Sequence, residues 1–107
     1  GRVALDAADG IAATFAALRR AQVSDLLFTD SLDVGIPAWF GPEPTDVALR
    51  AEELTDLGVD SPVSAPAVDV LVRGALGTGA RVWFVPADHP QAPADGVGAL
   101  LRYTLPV

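Results

Sequence analysis

Asp95-Gly96-Val97-Gly98-Ala99-Leu100-Leu101-Arg102-Tyr103 is the stretch whose reading decides the fold. A glycine-bearing start leads into an apolar run too short to be a helix with a core face of its own, so it reads as a buried strand near the C-terminus. Ala80-Arg81-Val82-Trp83-Phe84-Val85 comes before it, again apolar and rich in β-branched and aromatic residues, and a loop of Pro, Asp, His and Gly joins the two. Two such runs linked by a loop predict two strands of one sheet. The unbroken apolar character of residues 80–85 fits a strand covered on both faces, with Pro86 ending it.

Working outward, Val68, Leu71, Val72, Ala75 and Leu76 recur at helical spacing, with Ser64 as the expected cap, Pro66 in the first turn and Gly77-Thr78-Gly79 as the stop. Residues 7–22 predict another helix. Asp6 stands as its cap, Ile11, Phe15 and Leu18 form one apolar stripe, and Arg19 and Arg20 lie at the end the dipole favours. This helix leads into Leu26 to Thr29, read as a central strand. The signals weaken between Ser31 and Gly58, where Gly35, Pro37, Gly41, Pro42 and Pro44 leave Ala38-Trp39-Phe40 as a short strand, placed at an edge where proline is tolerated. A short helix is expected over residues 51–57, with Gly58 as its stop. Helices leading directly into buried strands are the grammar of an α/β fold.

The length, 107 residues, predicts one domain, in which roughly two thirds of the unfolded chain's surface can be buried. Cysteine is absent, so disulfides and thiolate metal sites are excluded. No run of about 18 apolar residues exists, and residues 1–6 lack the features of a signal peptide. The expectation is a soluble cytoplasmic domain with no membrane contact. The formal charge is −7, and the cations are arginines with no lysine. Such a surface repels a phosphate backbone, so nucleic acid is a poor partner, and Arg19 beside Arg20 makes only a weak basic patch.

Candidate chemistry is sparse. His89, the one histidine, lies in Pro86-Ala87-Asp88-His89-Pro90; a single imidazole cannot supply a zinc site, and sequence neighbours rarely form a triad. Gly74, Gly77 and Gly79 close a helix and open a strand, the reverse of the order in phosphate-binding loops. Glu52 with Glu53, and Asp56 with Asp60, are explained by a charged helix face and a loop, and their spacing matches no calcium loop. Ser24, Ser31, Ser61 and Ser64 have no GxSxG setting. Neither a catalytic residue nor a cofactor or metal site is assigned. Trp39 and Phe40 either fill the core at the sheet edge or form an exposed aromatic anchor. Arg102, a charge in an apolar run, must reach an edge, an acid or a partner; the reading adopted pairs it with Asp25 or Asp30, with an interface role as the alternative. Trp39, Phe40, His89 and Arg102 are thus the candidate partner-binding residues.

Residues 17–30, 80–85 and 95–103, taken together, resemble the C-terminal domain of archaeal and eukaryotic class 1 peptide-chain release factors and of Pelota. They are more closely similar to bacterial relatives of that family, including mycobacterial proteins akin to the hibernation factor Balon. The absence of Lys, Asn, Met and Cys beside abundant Ala, Gly, Pro and Arg fits the GC-rich coding of actinobacteria. The resemblance implies a three-layer α/β/α sandwich with a mixed central sheet, similar to the kink-turn-binding ribosomal protein fold. It also implies that residues 1–107 are the last domain of a longer protein. No Gly-Gly-Gln tripeptide is present, so peptide hydrolysis does not carry over. The kink-turn binders grip RNA with an Asn-Glu and lysine motif that is missing here. What carries over is docking to a translational GTPase, elongation factor Tu in the Balon-like branch, on the ribosome during hibernation or rescue. Two alternatives remain: a stand-alone α/β enzyme or ligand-binding domain, which predicts a deep pocket around Asp30 or His89, and a kink-turn-type RNA binder with steeply salt-dependent affinity.

Overall fold

The computed structural model describes residues 7–33, 35–90, 92–93 and 95–102. Among them the elements run β1 (Ala7–Asp9), α1 (Ile11–Arg19), β2 (Val23–Phe28), β3 (Pro37–Phe40), β4 (Val47–Ala48), α2 (Ala51–Thr55), β5 (Val63–Pro66), α3 (Ala67–Gly77), β6 (Arg81–Phe84) and β7 (Val97–Leu101). The mixed α/β class and the mixed sheet expected from the sequence are what the chain adopts.

The stretch that decides the fold supplies β7, an inner strand of a four-stranded sheet ordered β1-β7-β2-β6. β7 runs antiparallel to β1 and β2, and β2 runs parallel to β6. Ala99 faces Leu26, which faces Val82; Val97 faces Phe28, which faces Phe84. Because side chains alternate along a strand, these six residues share one face, and Asp25, Leu27, Arg81, Trp83, Gly98 and Leu100 share the other. Helices α1 and α3 touch each other and lie against the first face, where Phe15, Leu18, Val70, Leu71 and Ala75 join Leu26, Phe28, Val97 and Ala99 in one core. A second, antiparallel sheet, β4-β3-β5, flanks the helices. Its Ala38 and Val47 belong to the same core, while Trp39 and Ala48 pair on the opposite side, against α2 and its buried Leu54.

Entry of the chain into β7 requires glycine at position 96. Its φ is 87°, and a Cβ there would stand 2.6 Å from the backbone nitrogen of Leu32. The three helices among the described residues close with the same pair of backbone bonds. Gln22 N–H reaches Ala17 O while Ala21 N–H reaches Leu18 O, and Val59/Gly58 and Ala80/Gly79 repeat the arrangement. The left-handed residue is glycine in two of them, at φ 97° and 82°, but alanine in α1, where Ala21 holds φ 53°.

Several elements differ from expectation for physical reasons. Residues 7–9, expected as helix, form β1, because they complete the outer hydrogen-bonding edge of β7; α1 starts only after Gly10, at φ 94°. The expected cap Asp6 and the strand residue Tyr103 lie outside the described residues. Residues 63–66, expected as a loop with Ser64 as cap, form edge strand β5, and Pro66 ends it. β2 begins at Val23, three residues before the expected start, where a bulge lies opposite β7. β6 is not covered on both faces: it ends the sheet, with Trp83 47% and Phe84 74% exposed. No helix among the described residues is long and apolar enough to cross a membrane.

Candidate functional site

The four candidate contact residues are not brought together. Trp39 and Phe40 sit in β3 of the small sheet, while His89 follows β6 and Arg102 follows β7. β6 and β7 run in opposite directions on either side of β2, so His89 and Arg102 lie at opposite ends of the large sheet.

Phe40 packs against the core and carries the Arg73 guanidinium 4.8 Å from its ring centroid, a cation–π contact that covers its outer side. Arg73 is held there by the carbonyls of Gly41, at 3.2 Å, and Pro42. Trp39 is half-buried on the far side of the same strand. His89 is exposed in a turn whose backbone closes on Pro86 O at 2.9 Å.

Among the described residues Arg102 has no carboxylate partner. Its Nε donates to Val23 O at 2.8 Å and its Nη2 to Thr78 O, so the guanidinium joins the start of β2 to the turn between α3 and β6. The acids proposed for it are placed elsewhere. Asp30 follows β2 at the opposite end of the sheet, and Asp25 has its own partners. Asp25 Oδ2 accepts from Trp83 Nε1 at 2.7 Å, Oδ1 accepts from Ser24 Oγ at 2.8 Å, and the Arg81 guanidinium stands 3.7 Å away. Burial pushes the Asp25 carboxyl up, but the Trp83 and Ser24 hydrogen bonds and the Arg81 charge together outweigh it and hold the group below its usual 3.8. Sequence reasoning missed this cluster because it depends on the pairing of Asp25 with Arg81 and Leu27 with Trp83 across two strands far apart in the chain.

Two shallow cavities stand out among the described residues. One, about 270 Å³, lies on the outer face of the large sheet between Ala8, Leu27 and Leu100 and the loop bearing Pro90 and Pro93; the other, about 480 Å³, lies by Asp46 and Leu57. Neither of these two is lined by Asp30 or His89. Among the described residues no three His, Cys, Asp or Glu side chains group to hold a metal ion.

Compared with solved structures, the chain superimposes on the C-terminal domain of a peptide chain release factor from Methanosarcina mazei with a TM-score of 0.61 and 20% identity, over 97% of this chain and 74% of that one. The fold is that of a release-factor C-terminal domain. Dom34 of Saccharomyces cerevisiae, described as a translation termination-like factor that acts in RNA quality control and interacts with Hbs1, matches with a TM-score of 0.53 and 16% identity, over 95% of this chain and 23% of that one. In sequence, two uncharacterized proteins of Mycobacterium tuberculosis, MT2704 and Rv2629, are each 38% identical over 97 residues, 91% of this chain. The chain spans about a quarter of the length of these curated relatives, 25% in each case. No family model matches it.

Proposed function

We propose that the chain is a non-catalytic protein-interaction domain of a release-factor- or Pelota-like protein that works at the ribosome. The observation that carries this reading is the fold, shared with the release-factor domain over 97% of the chain. On this reading residues 1–107 are the last domain of a longer, cytoplasmic protein. The partial coverage of the mycobacterial relatives fits that organisation, and their source fits an actinobacterial branch, taken here as the Balon-like one. The partner is then a translational GTPase, elongation factor Tu in that branch, engaged during hibernation or rescue. Dom34, which interacts with Hbs1, lends the same kind of partner. Of the four candidate contact residues, half-buried Trp39 and exposed His89 go forward on their accessibility. Phe40 and Arg102 are committed to internal contacts.

The experiment is a titration of purified elongation factor Tu, loaded with a GTP analogue, with the 107-residue chain. In parallel, a full-length mycobacterial relative is co-sedimented with ribosomes from stressed cells. Saturable binding and co-sedimentation are the expected results; failure of both overturns the reading.

A further inference from the structure

Among the described residues β6 has one neighbouring strand, β2, and its other edge is open. Val85 N–H donates to Phe28 O at 2.8 Å, which fixes the phase of the backbone: the groups of Trp83 and Val85 point to β2, and those of Val82 and Phe84 point outward. Edge strands in monomeric proteins are commonly blunted by lysine, proline, a bulge or an inward charge. β6 has none of these within residues 81–84, and the charge of Arg81 is drawn to Asp25 on its own sheet. It carries instead two exposed aromatic side chains, Trp83 on one face and Phe84 on the other.

The surrounding charge defines the partner's chemistry. Asp30 and Asp88 follow β2 and β6 at one end of the sheet. Asp69 begins α3, which a short turn returns into β6, and so lies at that same end. All three are exposed. Among the described residues Arg19 engages Val47 O and Glu53, Arg50 engages Glu52, Arg73 engages Gly41 O, Arg81 on β6 itself leans to Asp25, and Arg102 engages Val23 O and Thr78 O. Arg20 caps the end of α1, beside the start of β2 and away from this rim. Three exposed carboxylates at this rim favour a partner that brings positive charge. A second copy of a chain with net charge −7 is opposed by like charge.

We infer that the open edge of β6 receives an extended, basic segment of a partner protein as an added strand. The backbone of Val82 and Phe84 supplies the hydrogen bonds, Trp83 and Phe84 cover its apolar side chains, and Asp30, Asp69 and Asp88 receive its arginines or lysines. The inference rests on the chain being an interaction domain. Its test uses synthetic peptides, so failure here leaves the assignment to translation standing, and failure with elongation factor Tu leaves this edge standing.

An alternating Val-Arg decapeptide is titrated into the ¹⁵N-labelled chain, with a Val-Glu decapeptide as comparison. The expected result is a set of chemical-shift changes centred on residues 81–85, slowed amide exchange at Val82 and Phe84, and affinity that falls with salt. Val82→Pro, which removes one outward N–H and leaves the bonds to β2, should weaken binding by about tenfold. Phe84→Asp serves as a second variant, with thermal melting to verify folding of both. Shift changes centred elsewhere, equal binding of the Val-Glu peptide, undiminished binding by the folded variants, or self-association through this edge would each overturn the assignment.

Discussion

The indole N–H of Trp83 donates to Asp25 Oδ2 at 2.7 Å, tying the edge strand β6 to its neighbour β2 on the outer face of the sheet. Trp83 is therefore half-exposed and anchored at once, which keeps an aromatic surface in a fixed orientation.

This pair gives stability a pH dependence of known sign. Asp25 titrates below its ordinary value in the folded chain, so its contribution is present above the unfolded pKa of 3.8 and is lost as pH falls through the lower folded value. Melting temperatures recorded from about pH 6 down to about pH 2 should fall more steeply for the native chain than for Asp25→Asn. Parallel curves would mean that the carboxylate is energetically idle.

Arg102 supports the scaffold through Val23 O and Thr78 O. Arg102→Leu should cost about 1–3 kcal/mol in urea unfolding, as expected for lost charge-assisted bonds to carbonyls. Peptide binding at the β6 edge should be little changed in the folded variant. Unchanged stability with lost binding would return Arg102 to the interface.

Ala21 occupies the left-handed position that glycine takes at the ends of the other two helices. The side chain makes that conformation costly, so Ala21→Gly should stabilise the chain by about 0.5–1 kcal/mol, read as a higher denaturant midpoint at constant slope. Gly79→Ala, at φ 82°, should move the midpoint the other way.

Phe28 and Phe84 stack at 5.4 Å between ring centroids, yet one is buried and the other 74% exposed. Phe28→Ala should cost about 3–5 kcal/mol, and Phe84→Ala about 1 kcal/mol, the share of the ring contact alone. Denaturant melts of both variants check this. A large loss at Phe84 would make the edge aromatic a fold residue rather than a docking residue.

The sequence was most legible where one periodic pattern met one buried surface. The spacing of Val68, Leu71, Val72 and Ala75 predicts α3, and the short apolar run after Gly96 predicts β7. Residues 7–9 were misread because Ala-Ala-Asp has no strand preference of its own; its conformation comes from the backbone of β7, which no local signal announces. Val63 to Pro66 failed in the same way, since serine and proline mark helix starts in sequence but here complete the edge of β3. β6 was found but its exposure was not. Val-Trp-Phe reads as interior whether a sheet continues beyond it or stops. The Asp25 cluster needed the β2–β6 register, and Arg102 needed the loop between α3 and β6 beside it, both products of the assembled sheet.

The ties along β6 also have a mechanical meaning. Arg102 clasps the turn just before it, Trp83 is hooked to Asp25 at its middle, and Phe84 rests on Phe28 at its end. A tug on a strand added to the outer edge is thus spread over three anchors instead of peeling the parallel ladder one hydrogen bond at a time. This edge strand of the sheet is fastened as a handle would be.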